Sequence, residues 1–513
     1  MTKLQKLKKS QSTNPDSFPS VVLRNCAHQL ATPLSIVYNV VFDLSVLPPD
    51  WQKSIVIPLH KKGPHNNPSN YRPISLTSTC CKVMESIIHD FISNFLLSNN
   101  LLSKHQHGFI KNRSTLTCLL SSLKNWLSSL DLGKPTDAIY IDFAKAFDTV
   151  THEKLLYKLT SYGIRGKLHL WISAWLSNRT QSVCIEGLLS PPKSVLSGVL
   201  QGSVLGPLLF LLFINDLIDT IPPEAHPTLF ADDLKIYSDL PVCLTATSPG
   251  SACCPLLQLS LNHISNWSKL WQLSIASNKC SCLSISNKKI ESLRLYLIDS
   301  LPIPQVESCC DLGILIDDKL SFSAHILSVA KKASSKSFLI RRCFQSKNPS
   351  LLSSAFTSYV CPILEYLSPV WSPYSVKDID IIENVQRRFT KLFPHLHSLP
   401  YPTRLTRLGL SSLQARRIKS DLCSCYKITH SLTVLDPLIY FTPRTFNVTR
   451  GHRFMLCKPP VRLNSSKFSF FSRVIDHWNT LPSNTVSAGT FSSFKARLKL
   501  IRLPDKFTIP SPN

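Results

Sequence analysis

The chain has 513 residues, 57 Lys+Arg against 31 Asp+Glu, and a formal net charge of +26 with a pI near 9.5. A hydrophobic share of 43% excludes general disorder, and the length suits about two to four domains at roughly 100–200 residues each. The basic excess points to a polyanionic partner, nucleic acid first, with a basic surface kept for solubility as the plain alternative.

Residues 1–20 read as a polar, basic and frayed start without the apolar core of a secretion signal. Val21 to Leu47 has helical apolar spacing, stopped by Pro48-Pro49. Ser54 to Pro58 is a short β-like run leading into a basic loop, Lys61 to Tyr71. Cys80 to Asn99 reads as an amphipathic helix. Ala138 to Asp142 reads as a buried strand with a carboxylate at its end, and His152 to Tyr162 as a helix closed by Gly163. Ser203 to Ile214 is very apolar, but too short to span a membrane, so a buried helix is expected. Leu229 to Tyr237 predicts a hairpin whose turn carries Asp232 and Asp233. Residues 241–255 look like a loop, and Cys282–Ser286 and Leu312–Ile316 like strands.

After Ser321 the chain turns to basic helices. Ile379, Ile382, Val385 and Phe389 share one face, with Arg387, Arg388 and Lys391 mostly on the other. That basic face suits either solvent or a phosphate backbone. Strands mixed with helices, then helices alone, predict an α+β part followed by a helical C-terminal part. The 17 cysteines are scattered or adjacent, as at Cys80-Cys81, Cys253-Cys254 and Cys309-Cys310. That spacing suits neither a disulfide scaffold nor a zinc knuckle, so reduced, mostly buried thiols of an intracellular protein are expected, in nucleus or cytoplasm and not secreted.

Asp142, Asp232 and Asp233 stand out because ionised carboxylates beside buried strands are costly without a partner. Hard oxygen ligands on such loops suit divalent cations, and two metals can clamp the attacking and leaving oxygens of an in-line displacement. The plain alternative is turn chemistry, for which Asp is common.

Ordered blocks decide between these readings. They are Trp51, Ile57-Pro-Leu-His-Lys-Lys-Gly63, Asn70-Tyr-Arg-Pro-Ile-Ser-Leu76, Gln106-His-Gly-Phe109 and Arg113-Ser-Thr115. They continue as Tyr140-Ile-Asp-Phe-Ala-Lys-Ala-Phe-Asp148, Ser197-Gly-Val-Leu-Gln-Gly-Ser203, Phe230-Ala-Asp-Asp233, Asn278-Lys279 and Asp311-Leu-Gly-Ile314. In order and spacing the chain resembles the reverse transcriptase part of a non-LTR (LINE-type) retrotransposon, near the jockey-like branch. The likeness runs from about Asp16 to Trp371, and more loosely through Trp478–Pro482.

The resemblance implies an α+β right-hand polymerase. Residues 1–50 would be an N-terminal flank, 51–320 fingers and palm, 321–400 a thumb-like helical region and 401–513 a basic C-terminal region. It implies RNA-directed extension of a DNA 3′ end, with an RNA template, a DNA primer, dNTP and two Mg²⁺ or Mn²⁺ ions. Asp142, Asp232 and Asp233 would be the catalytic, metal-binding acids, with Asp148 structural. Phe147 would exclude the 2′-hydroxyl, and Arg72 would grip the triphosphate as a guanidinium fork. Gln201 and Gly202 would lie under the nascent pair, Lys279 near the leaving pyrophosphate, Leu312 and Gly313 at the primer grip, and Arg113 on template phosphate. Lys61 and Lys62 are candidates for assisting Arg72.

The chain departs from the family pattern at Leu200, where Pro usually precedes Gln-Gly, and at Asn112, where Gly is usual. With no endonuclease domain before Trp51, a separate nicking activity is expected. A second reading is a catalytically silent nucleic-acid-binding remnant. A third, RNA-templated RNA synthesis, is disfavoured by Phe147.

Overall fold

The computed structural model describes residues 1–9, 15, 19–240, 253–288, 294–346, 348–444, 451–501 and 503. Most of the expected 241–255 loop lies outside the described residues. The architecture is mixed α+β, with two five-stranded sheets and a helical C-terminal part.

The first sheet starts with a hairpin. Strand β1 (Lys53–His60) pairs antiparallel with β2 (Tyr71–Leu76), placing Leu59 opposite Arg72 and Val56 opposite Ser75. The Lys61 N–H donates to the Asn70 carbonyl at 2.8 Å, closing the basic loop. Strand β3 (Thr136–Ile141) belongs to the second sheet, and β4 (Thr180–Ile185) returns to β1 as a parallel neighbour.

The second sheet is completed by β5 (His226–Phe230), β6 (Asp233–Asp239), β7 (Ser281–Ile285) and β8 (Gln305–Val306), in the order β8-β7-β3-β6-β5. Helices cover both faces, so its strands are apolar on both sides. Ile139, Ile141, Leu234 and Ile236 point into one core. Ala138, Tyr237 and Leu283 point into the other, with Tyr140 packed against it. The expected buried helix is α6 below: Leu208 to Ile214 are all buried, and all but Leu211 lie in the first core.

Helices α1 (Ala27–Leu44), α2 (Thr79–Ser98), α3 (Thr115–Asp131), α4 (His152–Ser161), α5 (Gly166–Leu176) and α6 (Gly206–Ile214) surround the sheets. Helix α7 (Pro255–Trp271) follows. The C-terminal part contains α8 (Ser323–Cys343), α9 (Pro349–Tyr359), α10 (Val376–Thr390), α11 (Leu413–Thr429), α12 (Phe470–Asn479) and α13 (Phe491–Leu500). One hydrophobic core runs from α3 through these helices to Leu503.

The structure alters three local expectations. The first residues are not frayed: Thr2–Gln5 is a helical turn, Leu4 is buried, and Lys3 reaches the Ser86 carbonyl and Asp90 on α2. An apolar residue and a cation placed together there anchor the segment. The helix expected over 21–47 is split at Cys26 and stops at Ser45, which has a φ of +53°. The strand expected at Leu312–Ile316 is a hairpin instead. Strands β9 (Ser308–Asp311) and β10 (Ile314–Asp317) flank a turn at Leu312 and Gly313, whose φ values of +46° and +88° make the reversal. The described cysteines are all free thiols. Among the described residues no helix is long and apolar enough to cross a membrane.

Candidate active site

Strand register brings the three acids together. Ile141 on β3 pairs with Leu234 on β6, so Asp142, one residue on, reaches the turn that joins β5 to β6. Phe230 pairs with Asp233 across that turn, leaving Ala231 and Asp232 at its tip. The backbone at Asp142 is fixed by a second segment: the Ala276 N–H donates to the Asp142 carbonyl, and Ala144 N–H to Ser274 O, both at 2.8 Å.

The three carboxylates feel one another. Burial raises the Asp232 carboxyl above its ordinary range, and the Asp142 charge raises it further, while Lys61 and Arg72 offset part of this. Asp233 is pushed up to about 6, by burial first and then by Asp232, Asp311 and Asp142. The Lys279 ammonium donates to Asp142 Oδ1 at 3.1 Å, with both side chains partly exposed. Among the described residues no three His, Cys, Asp or Glu side chains form a ready-made metal cage. Mutually repelling carboxylates are nevertheless a donor set suited to a hard divalent cation, and Mg²⁺ commonly takes one or two carboxylates and completes its shell from substrate phosphates and water.

The other expected residues are each placed by contacts of their own. Arg72 is exposed on β2, and its charge acts on Asp232. Gly202, at φ +120°, lies so close to β2 that a Cβ would stand 2.5 Å from the Ser75 carbonyl oxygen. The Ser75 N–H donates to Gln201 O at 2.7 Å, fastening the loop to the Arg72 strand. The Gln201 carboxamide donates to Asp148 Oδ1 at 2.9 Å. Half-buried Phe147 stacks on Phe210 at 4.3 Å and meets Phe109 edge-on at 6.2 Å. The Leu312 carbonyl accepts from the Tyr366 hydroxyl at 3.1 Å. Beside that turn, buried Asp311 pairs with Lys235 of β6 at 2.6 Å, tying the hairpin to the sheet. Arg113 is half-buried and turned inward, with Nη1 on the carbonyls of Ser103 and Gln106.

The two departures have local answers. Asn112 has a φ of +65°, a left-handed conformation that Asn tolerates in place of Gly. Leu200 is buried, and its carbonyl accepts from Ser203 Oγ at 2.9 Å, closing the turn without a proline.

Sequence reasoning missed some residues that build this site. The Gln106–Phe109 motif carries no local signal that Gln106 and Gly108 touch the Ala231 backbone. Phe210 was hidden in an apolar run, and Tyr366 carried no signal.

Comparison with known proteins agrees with this architecture. Residues 59–327, more than half of the chain, match the family described as reverse transcriptase (RNA-dependent DNA polymerase). The chain is 28% identical over 331 residues to the RNA-directed DNA polymerase from mobile element jockey of Drosophila melanogaster, covering 64% of this chain and 35% of that protein. It is 26% identical over 382 residues to the "Probable RNA-directed DNA polymerase from transposon X-element" of the same species, covering 74% and 41%. Against a Pol polyprotein from type-1 retrotransposable element R2 of Popillia japonica it is 27% identical over 253 residues, covering 47% and 33%. The chain thus spans less than half the length of each of these relatives.

Proposed function

The chain belongs to the reverse transcriptase (RNA-dependent DNA polymerase) family, in its jockey-like non-LTR branch, and from that premise we propose that it extends a DNA 3′ end on an RNA template. The observation that carries the reading is the meeting of Asp142 with the Asp232-Asp233 turn, faced by Arg72 and Lys61. Members of the family generally work with divalent metal ions. Asp142, Asp232 and Asp233 would hold two Mg²⁺ or Mn²⁺ ions. Bound there, the ions would supply activation of the primer hydroxyl and neutralisation of the leaving pyrophosphate.

The chain's own residues supply orientation. Arg72 presents a forked donor to the triphosphate, assisted by Lys61. Phe147, backed by Phe210, forms the wall that excludes a 2′-hydroxyl. Gln201 and Gly202 carry the nascent pair where the backbone comes close to β2. Lys279, paired with Asp142 at 3.1 Å, would give a proton to the leaving pyrophosphate. The Leu312-Gly313 turn steadies the primer end, and Arg113 orders the template side of the loop. Residues 51–320 would be fingers and palm, 321–400 a thumb, and 401–513 a basic C-terminal region whose helices α11, α12 and α13 share the core of α8–α10, with 1–50 a flank. The exposed Lys331, Lys332, Lys336, Arg341 and Arg342 on α8 suit the backbone of the template–primer duplex. The site of action would be intracellular.

The test is incorporation of dTTP on poly-rA/oligo-dT with Mg²⁺ or Mn²⁺. Incorporation by the parent chain, abolished in Asp232→Asn with RNA binding unchanged, is the expected result. A folded chain inactive with both metals would overturn the proposal in favour of a silent binding remnant.

A further inference from the structure

The loop between α2 and α3 touches the acid-bearing turn through its backbone. The His107 N–H donates to Leu229 O at 2.7 Å, and the Leu229 N–H donates to His105 O at 2.9 Å. The loop therefore lies beside β5 as a short parallel edge, with Gln106 opposite Leu229.

Gln106 is buried, and both ends of its carboxamide are bonded to backbone. Its Oε1 accepts from the Ala231 N–H at 2.9 Å and from the Gly108 N–H at 2.7 Å. Its Nε2 donates to the Ala231 carbonyl at 3.2 Å. Ala231 has a φ of +58°, which is unfavourable for a residue with a Cβ and persists where neighbours over-determine it. Gly108 allows the approach, since a Cβ there would stand 2.4 Å from the Ala231 nitrogen. On its far side the loop is braced by Arg113 on the Ser103 and Gln106 carbonyls. His107 Nδ1 lies 2.9 Å from Thr117 Oγ1, at the start of α3.

We infer that Gln106 is a positioning residue for the catalytic turn, holding Ala231 left-handed so that Asp232 is presented toward Asp142. The inference rests on the proposed role of that turn. Because Arg113 braces the same loop, Arg113, Gln106 and the turn are joined by one continuous set of bonds.

The test uses the full chain with Gln106→Met, which keeps the volume and removes the amide, and Gln106→Glu, which keeps the acceptor and loses the donor. Hydrogen exchange across residues 229–234 should quicken about tenfold in Gln106→Met. Turnover should fall on the order of 100-fold, with the dTTP KM within about threefold of the parent and Gln106→Glu intermediate. Unchanged exchange would overturn the inference. So would faster exchange with unchanged turnover, or a loss confined to KM. If Gln106→Met does not fold, Gly108→Ala must give the same pattern, because its Cβ pushes on Ala231 directly. A parent chain that incorporates nothing would count against the proposed function alone. Exchange then decides here, faster exchange in Gln106→Met supporting the clamp and unchanged exchange overturning it.

Discussion

Gly202→Ala is the sharpest test of the contact between the Gln201-Gly202 loop and the Arg72 strand. The added Cβ would stand 2.5 Å from Ser75 O and 3.4 Å from Ser75 C, against a backbone that is itself paired with Val56 in β1. The strand cannot yield without disturbing the first sheet, so the loop must. At φ +120° an alanine also carries conformational strain, of about 1–3 kcal/mol. Lifting the loop lengthens the 2.7 Å bond from Ser75 N–H to Gln201 O, a loss of about 1 kcal/mol. Together these give about 2–4 kcal/mol. Helix α6 is buried and starts only at Gly206, so the displacement can stay within the loop. The loss should then appear mainly in the nucleotide site. The expected result is a dTTP KM raised about tenfold or more with the chain still folded, read by steady-state incorporation beside a urea melt. An alanine variant with unchanged KM and unchanged stability would refute the close approach.

Two further outcomes follow from the same geometry. Phe147→Ala should raise use of NTP relative to dNTP, measured as the ratio of kcat/KM for rUTP and dTTP. A parent chain that already uses both equally would remove Phe147 as the gate. The Asp233 carboxyl is raised from 3.8 to about 6 in the folded chain, by burial and then by neighbouring acids. The folded state therefore holds this proton more tightly than the unfolded state. The resulting stability is present below about pH 4 and lost as pH rises through about 6. The residue is exposed at the turn, so solvent screening reduces the effect. Thermal melts in EDTA should show Asp233→Asn gaining on the parent as pH rises from 4 to 7, and parallel curves would contradict the repulsion.

What could be read from the sequence was whatever depends on local pattern. The apolar run Ala138–Ile141 before an acid, and the Leu229–Tyr237 hairpin with acids in its turn, both follow from alternation and turn chemistry, and both elements form. What could not be read was contact between distant segments. Nothing local in Gln106 says that its amide will close on Ala231, 125 residues away. The same holds for Gly202 against Ser75, where the glycine is visible but its neighbour is not. Arg113 shows the opposite difficulty. The resemblance implies a template phosphate for it, and nothing in the local pattern shows that its Nη1 lies on two backbone carbonyls. The charge pattern itself is explained only by the fold. A chain with an excess of +26 gathers Asp142, Asp232 and Asp233 at one end of one sheet, with Asp311 of the β9–β10 hairpin acting on Asp233. Like charges are held together there by strand register and by surrounding cations: Lys279 on Asp142, Lys235 on Asp311, and Lys61 and Arg72 facing Asp232. Such an arrangement costs stability, which the raised Asp232 and Asp233 record, and a cation brought by the substrate side would relieve it. On the proposed reading, the acids are the half of the site that divalent cations would complete.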